Sequence, residues 1–242
     1  MDTDSVENKS SDPFYEDAVQ YWEKIPPTIS GMLGGFGYIS KTDIEGSKMF
    51  LNQIFSTNNA PSTSYAVDCG AGIGRITKNL LIHVFDCVDL VEQNPAFLQK
   101  ARQFIGTSHK EKLGELYAVG LQNFVPQDAK YDVIWCQWVM GHLKDEHFVE
   151  FLERCKKGLK HNGMLIIKEN ITSSGEVEMD EGDSSVTRPP KLLHKLFKSA
   201  GLVCLKETEQ SNFPKGLYAV RMFALRPERI SAKEIVTNDL KT

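Results

Sequence analysis

The chain has 242 residues, of which 41% are hydrophobic, and its formal net charge is -4. This is enough apolar material for one substantial core, so we expect one domain with extensions. An acidic balance without a long run of lysine or arginine argues against direct nucleic-acid binding. The sequence contains no apolar run of about 20 residues and no basic-then-apolar start, so we expect neither a membrane span nor a secretory signal.

The five cysteines are far apart and include no Cys-x-x-Cys pair. An odd number without paired spacing is typical of free thiols in a reducing compartment. We therefore expect an intracellular protein with mostly packed thiols and no metal at its active site.

The N-terminal part of the chain divides into a tail and an extension. Residues 1–11 are too polar to fold alone and are predicted to be disordered. Asp12 and Pro13 then provide an N-cap and a first-turn proline, which predict a helix. A glycine-rich loop and a second apolar helical pattern complete a helical extension over residues 12–60, which we expect to contribute to the substrate pocket.

Strand and helix patterns alternate through the predicted catalytic domain at residues 61–226, ahead of a polar tail at 227–242. Seven short apolar runs predict strands, and the segments between them, such as "RITKNLLIHVF", have helical spacing. Alternation of this kind requires a largely parallel sheet covered on both faces. The predicted fold is α/β, a doubly wound, mostly parallel, Rossmann-like sheet of seven strands with its ligands at the carboxyl ends.

A glycine turn, "DCGAGIGR", joins the first strand to the next helix. A triphosphate loop would continue as Gly-Lys-Ser/Thr, but Arg75 follows Gly74, and the glycine spacing also differs from a dinucleotide fingerprint. Asp68, just before the turn, suits a positively charged ligand better than a pyrophosphate. Glu92, at the end of the second strand, can accept both hydroxyls of a ribose. The arrangement favours S-adenosyl-L-methionine over a nicotinamide dinucleotide.

Several stretches together resemble the alpha-N-terminal protein methyltransferases, a family of class I S-adenosylmethionine-dependent enzymes. They are "YWEKIPPTISGMLGGFG", "DCGAGIGRITKNLL", "YDVIWCQWVMGHL", "IIKEN" and "DSSVTR", and the similarity extends from about Phe14 to Arg226. The resemblance implies methylation of the α-amine of protein N-termini beginning X-Pro-Lys, with S-adenosyl-L-homocysteine as the product. Two alternatives on the same fold are a small-molecule amine methyltransferase and a non-catalytic S-adenosylmethionine-binding adaptor.

For the cofactor, the resemblance implies that Gly70 and Arg75 contact the methionine carboxylate and Glu92 the ribose. Glu92 replaces a more usual aspartate, and the longer acid can still chelate a diol. Arg75 could instead be a solvent-facing cation, but the positive end of a helix dipole disfavours a cation and favours a carboxylate partner. The adenine or methionine ends are assigned to Leu121, Gln122 and Gln137, although Leu121 is equally well explained as a core residue.

For catalysis, the resemblance implies that His142 and Asp183 accept a proton and that Asn170 holds the amine. An N-terminal amine with a pKa of about 7.7–8.0 is largely protonated at neutral pH and must lose its proton before it can attack a methyl group. An imidazole with an ordinary pKa of about 6.5 suits this task, although His142 could also be a packed histidine at a helix start. An amide adds no charge that would favour the ammonium form.

For the substrate, the resemblance implies that Asp180, Asp183 and Ser185 bind the third-position lysine and the N-terminus. The loop before Asp180 is one residue longer than the family pattern, and taken alone this acidic stretch would be a solvated loop. Trp22 and Trp138 would attract a cation through their aromatic faces, whereas Trp135 is predicted to lie in the core. The residues expected around the proline ring are Leu33, Gly34, Ile39 and Tyr218.

The resemblance also implies residence in the nucleus and cytoplasm, although no basic import signal is visible. The expected partners are X-Pro-Lys protein N-termini, with no direct nucleic-acid or membrane contact. We expect a monomer or a weak oligomer.

Overall fold

The computed structural model describes residues 12–228, so the predicted disordered tail at 1–11 and all but the start of the tail at 227–242 lie outside the described residues. A seven-stranded sheet forms its centre, and a two-stranded hairpin lies apart from it. The strands are β1 (Tyr65–Cys69), β2 (Cys87–Val91), β3 (Leu113–Tyr117), β4 (Tyr131–Gln137), β5 (Leu159–Ile171), β6 (Glu178–Asp180), β7 (Ser185–Thr187), β8 (Leu202–Glu209) and β9 (Ala219–Pro227).

The strand order of the large sheet is β3-β2-β1-β4-β5-β9-β8. The first five of these strands pair in parallel, and β9 and β8 are antiparallel to their neighbours. The predicted α/β, mostly parallel seven-stranded sheet is therefore confirmed. The order reverses between β1 and β4, so the crevice at their carboxyl ends is where an open α/β sheet binds its ligands.

Seven α-helices accompany these strands in the described part of the chain. They are α1 (Pro13–Lys24), α2 (Ile29–Met32), α3 (Ser40–Phe55), α4 (Arg75–Asn79), α5 (Pro95–Ile105), α6 (Asp145–Gly158) and α7 (Pro190–Ser199). The carboxylate of Asp12 accepts a hydrogen bond from the Phe14 amide at 3.1 Å, so the predicted cap does start α1. None of the helices between residues 12 and 228 has both the length and the apolar character to cross a bilayer.

The stretch predicted as one helix after the glycine turn is broken. The α-helix ends at Asn79, Leu80 has a non-helical backbone (φ -135°, ψ -68°), and a single 3₁₀ turn follows at Leu81–His83. Leu80, Leu81 and Ile82 are all buried. Three consecutive apolar residues cannot all lie on one face of a continuous helix, so burial of the whole run outweighs helical propensity here.

The core lies on both faces of the sheet and contains the predicted core residue Trp135, which is fully buried. All five cysteines are free thiols. Cys69, Cys136 and Cys155 are buried in the core, and Cys87 and Cys204 are half-buried.

A buried ionic cluster joins the N-terminal helices to the sheet. The carboxylate of Asp43, on α3, lies 2.6 Å from Arg75 Nη1 and 2.5 Å from Lys168 Nζ. The Gln137 amide donates to both oxygens of the same carboxylate, at 2.8 and 2.9 Å. Lys168 also donates to Gln210 Oε1 at 2.7 Å, and its burial lowers the pKa of the ammonium. Since each cation here lies out of water, the carboxylate between them is required for their burial.

This cluster predicts a large loss of stability for Asp43→Asn. The amide keeps the shape of the side chain but leaves two buried cations uncompensated, so the free energy of unfolding should fall by about 3–5 kcal/mol. Urea denaturation followed by circular dichroism measures the change. The matched control is Glu45→Gln on the same helix, because Glu45 pairs with Lys41 in solvent at 3.9 Å and should cost less than about 1 kcal/mol. Equal losses in the two variants would contradict this account.

Candidate active site

The glycine turn between β1 and α4 depends on glycine for its conformation and its packing. Gly70 and Gly72 have left-handed backbones, with φ of +71° and +55°. A Cβ atom on Gly70 would lie 2.5 Å from the Cβ of Val139, and one on Gly72 would lie 2.7 Å from the Met32 sulfur. Glycine at these positions allows the backbone to pass close to the Val139 and Met32 side chains.

Asp68, near the end of β1, holds the glycine turn through hydrogen bonds to α4. Its Oδ2 accepts hydrogen bonds from the Thr77 amide at 3.0 Å and the Thr77 hydroxyl at 2.7 Å. Burial raises the pKa of Asp68 to about 6, against the effect of these hydrogen bonds and of Arg75. The carboxylate therefore connects the end of β1 to the first turn of α4 while it lines the cleft above.

Glu92 is placed and oriented as a hydroxyl acceptor. One carboxylate oxygen accepts from the Asn94 amide and the other from the Gly72 amide, both at 2.9 Å. Desolvation raises the pKa of Glu92, and the backbone amides oppose the shift. The two contacts hold the side chain still, and each oxygen keeps a lone pair for a further donor such as a ribose hydroxyl.

Arg75 is buried, and its place at a helix start predicts a carboxylate partner. In the structure that partner is a side chain of the protein and not a ligand. It is Asp43 of α3, a residue that no sequence motif singled out. The guanidinium also lies 5.6 Å from the centre of the Trp138 ring. Asp43 offsets part of the charge of Arg75 and Lys168, and Arg75 also lines the first cleft, where it can attract a ligand carboxylate.

The first cleft lies at the carboxyl ends of β1, β2 and β4 and has a volume of about 960 Å³ when its open mouth is included. Its walls combine the apolar side chains of Val91, Phe97 and Val119 with the Glu92 carboxylate and the Arg75 guanidinium. This set fits S-adenosyl-L-methionine, which requires an apolar slot for adenine, an acceptor for ribose and a cation for its carboxylate. All six predicted cofactor residues line it: Gly70, Arg75, Glu92, Leu121, Gln122 and Gln137.

Leu121 fits both of its interpretations. Its side chain is buried in the larger core cluster, and it also forms part of the wall of the first cleft. Its carbonyl oxygen accepts a hydrogen bond from Arg154 at 2.9 Å, which holds the wall in place.

A second cleft of about 1070 Å³ lies beside the first. Helix α1, the glycine-rich loop after α2, and the segment before β9 contribute to its walls. Ten predicted catalytic and substrate residues line it: Trp22, Leu33, Gly34, Ile39, Trp138, His142, Asn170, Asp183, Ser185 and Tyr218.

Asp180 is the predicted substrate residue that the second cleft does not include. It lies on an adjoining cleft, which it shares with Asn170, Asp183, Ser185 and Tyr218. Its Oδ1 accepts from the Gly182 amide at 2.8 Å, and its side chain is exposed. The two aspartates therefore have different surroundings.

The acidic stretch around these aspartates is a hairpin and not the solvated loop that its composition alone indicates. Strands β6 and β7 pair antiparallel, with Asp180 opposite Ser185. Ser184 has a left-handed backbone (φ 54°), and its hydroxyl donates to the Phe14 carbonyl of α1 at 2.9 Å. Asp183 accepts from the Ser185 hydroxyl at 2.6 Å. Contact with α1 places the acids over the second cleft.

The two clefts meet at four side chains that line both: Trp22, Met32, Trp138 and His142. A group transferred from the first cleft to the second must pass between them. Met32, the last residue of α2, was not predicted, because a single apolar residue beside a glycine-rich loop carries no motif of its own. Its flexible thioether can adapt to occupants on either side.

His142 is held as a neutral imidazole. Its Nε2 accepts the indole N–H of Trp22 at 3.1 Å, so the ring proton is on Nδ1, which lies 3.3 Å from the Ser184 carbonyl oxygen. Desolvation lowers the pKa of His142, while Asp183 and the Ser184 carbonyl oppose the shift. The residue is able to accept a proton, but the nitrogen that would accept it is occupied by Trp22.

Asn170 and Trp138 are held by each other. The Asn170 amide oxygen accepts the Trp138 indole N–H at 3.1 Å, and the Trp138 ring stacks on Phe213 with centroids 6.5 Å apart. The Trp138 backbone is left-handed (φ 52°), a conformation that these contacts stabilise.

Glu169, next to Asn170, is a site residue that the sequence motifs did not identify. One of its oxygens accepts the Val139 and Met140 amides, both at 2.8 Å. Burial raises the pKa of Glu169 to about 7, and these amides oppose the shift. The carboxylate thus fixes the loop between Trp138 and His142.

Comparison with known proteins agrees with this geometry. A model of the AdoMet dependent proline di-methyltransferases matches residues 10–226. An N-terminal Xaa-Pro-Lys N-methyltransferase 1-A of Xenopus laevis is 47% identical over 228 residues, which cover 93% of this chain and 100% of the relative. An alpha N-terminal protein methyltransferase 1 of Drosophila melanogaster is 49% identical over 216 residues, which cover 88% of this chain and 76% of the relative.

Solved structures support the same assignment. A SAM-dependent methyltransferase from Leishmania major superposes with a TM-score of 0.83 at 35% identity and covers 88% of this chain and 83% of its own. A Burkholderia thailandensis N1-methyltransferase solved with S-adenosylhomocysteine has a TM-score of 0.66 at 16% identity and covers 94% of each chain, which shows the fold alone. The predicted family and cofactor are confirmed. The chain belongs to the AdoMet-dependent proline di-methyltransferase family and is an S-adenosylmethionine-dependent methyltransferase.

Proposed function

We propose that this enzyme methylates the α-amine of protein N-termini beginning Xaa-Pro-Lys, the substrates named for its curated relatives. The observation that carries the proposal is the pair of clefts that meet at Trp22, Met32, Trp138 and His142. One has the residues to hold the cofactor. The other has aromatic, apolar and acidic side chains, which suit an amine, a proline and a lysine.

The walls of the second cleft suit the first two residues of such a substrate. Trp22 and Trp138 can attract the terminal ammonium and its methylated products through their aromatic faces, by about 0.5–2 kcal/mol. Leu33 and Ile39 provide an apolar surface for a proline ring, which has no N–H to satisfy and a fixed φ. The Tyr218 hydroxyl donates to Glu178 at 2.5 Å, which orients the ring that faces this surface.

The acids suit the third residue. Asp183 lines the second cleft and Asp180 the adjoining one, so a lysine that extends out of the second cleft meets both in turn. A neutral or acidic side chain would not supply a cation for these carboxylates, and an acidic one would also be repelled. Glu178 and Glu181 also line the adjoining cleft. Because the acidic surface extends beyond the second cleft, it favours an extended peptide over a small-molecule amine.

Methyl transfer begins with removal of a proton from the substrate ammonium. The bound cofactor supplies an electrophilic methyl on a sulfonium. His142 is neutral and can accept the proton at Nε2 once the substrate nitrogen takes the place of the Trp22 indole there. Asp183 stabilises the resulting imidazolium by its charge. The Asn170 amide, which lines the second cleft, would then hold the neutral amine there without adding charge.

Other predictions from the family resemblance concern the protein beyond its site. Residence in the nucleus and cytoplasm, and a monomer or weak oligomer, remain predictions. So do the proposed roles of the individual site residues, of which Asp180, Asp183 and His142 are tested by the following experiments.

Peptide selectivity tests the acidic residues. Asp183→Asn should weaken binding of a Ser-Pro-Lys peptide by about 1.5–3 kcal/mol through loss of a charge-assisted contact, and Asp180→Asn should weaken it less because that side chain is exposed. Calorimetry in the presence of S-adenosylhomocysteine measures peptide affinity without turnover. Cofactor affinity should stay at the parent value. The control is Glu176→Gln, an exposed acid on the same segment that lines neither cleft. Parent-like affinity in both aspartate variants would refute lysine recognition by this hairpin.

The pH dependence of methyl transfer tests His142. Because desolvation lowers the pKa of His142, its neutral form persists to lower pH, and the parent rate should rise through a range below pH 6.5 and then level off. In His142→Gln the turnover rate should fall by about 10²–10⁴-fold, and the inflection should disappear from the pH profile. Peptide affinity should change little. Two peptides with different N-terminal amine pKa values separate the contributions, because an inflection of the enzyme stays in place and one of the substrate moves. An unchanged rate and profile in His142→Gln would make His142 a packing residue.

A further inference from the structure

A group of metal-ligating side chains lies away from both active-site clefts, where α7 packs against the edge strand β8. His194 is on α7, and Cys204 and Glu207 are on β8. One ligand atom from each of the three lies within 4.8 Å of the other two. Imidazole, thiolate and carboxylate are the three ligand types that Zn²⁺ takes in proteins.

A β-bulge places the two strand residues on one face. Cys204 pairs with Leu225 and Lys206 with Ala224, so Leu205 is an extra residue on β8. In a regular strand, residues three apart point to opposite faces, and one inserted residue shifts the alternation. The bulge is therefore what brings Cys204 and Glu207 together.

The third ligand is already held in position. The His194 ring lies edge-on to Phe197 and Phe223, with centroids 5.9 and 5.7 Å away. Its Nε2 is 2.9 Å from Glu207 Oε2. An imidazole oriented in this way loses little freedom on binding an ion, which would replace the proton between these two atoms.

Neighbouring groups orient the Glu207 carboxylate and hold the Cys204 thiol proton that a metal ion would displace. Arg221 donates to the other carboxylate oxygen, Glu207 Oε1, at 2.5 Å, and leaves Oε2 for a ligand. Glu209 lies 3.7 Å from the same guanidinium and partly offsets its charge. The Cys204 thiol faces the Lys206 carbonyl at 3.3 Å, and its proton must leave when a metal binds.

We propose that His194, Cys204 and Glu207 form a surface site for Zn²⁺, with water in the fourth position of a tetrahedron. The mixed nitrogen, sulfur and oxygen set excludes Ca²⁺ and Mg²⁺, which take oxygen ligands. A bound ion would join α7 to the edge strand and stabilise this end of the sheet. Neither cleft of the methyl-transfer site includes a ligand of this ion.

The test uses the full chain without a histidine tag, stripped of metal by chelator. Addition of Co²⁺ should produce a thiolate-to-cobalt charge-transfer absorption that saturates at one ion per chain and disappears when Zn²⁺ is added. Cys204→Ser should abolish the absorption, and His194→Gln should weaken Zn²⁺ affinity at least about 10-fold. The matched control is Cys87→Ser, which removes the other half-buried thiol and should bind as the parent does.

Thermal unfolding gives an independent result. Zn²⁺ should raise the melting temperature of the parent and of Cys87→Ser but not that of Cys204→Ser, because only a metal bound to the folded state stabilises it. The proposal is overturned if the parent shows no thiolate-to-cobalt absorption, or if the absorption persists in Cys204→Ser. Failure of this site would leave the proposed methylation untouched, since peptide methylation without metal tests that separately.

Discussion

The buried carboxylate of Asp43 is the interaction on which the rest of the molecule depends. It lies between Arg75 at the start of α4 and Lys168 on β5, at 2.6 and 2.5 Å. Two cations can be buried here only because α3 supplies their counter-charge. The N-terminal helices are therefore a structural part of the cofactor cleft. Arg75 also lines the first cleft, where it can attract a ligand carboxylate.

The charged groups differ between the two clefts. The first carries Arg75 together with the acids Asp68 and Glu92, whereas the second carries Asp183 and the adjoining cleft Asp180. His142 lies between them as a neutral group, because desolvation lowers the pKa of its imidazole. This arrangement separates attraction of a cationic peptide from stabilisation of an anionic group on the cofactor, and it leaves the acceptor of the proton uncharged.

Local patterns predicted the features that depend on residues close together in the chain. The glycine turn, Glu92 at the end of β2, and the cap of α1 follow from side-chain type and short spacing. The family resemblance added residues from distant segments, and all of them except Asp180 lie on the two main clefts. The prediction of one continuous helix after the glycine turn was wrong, because the helix ends at Asn79 and the residues from Leu80 to Ile82 are all buried.

The sequence by itself determined the α/β class, the cofactor and the family, because these depend on periodicity and on motifs that a single strand, turn or helix carries. Only the tertiary structure decided that Asp43 is the partner of Arg75, that Trp22 occupies the proton-accepting nitrogen of His142, and that Met32 lies between the clefts. Residues 32 to 120 positions apart meet in these contacts. Their pairing depends on how helices pack over the sheet edge, and no local pattern records that packing.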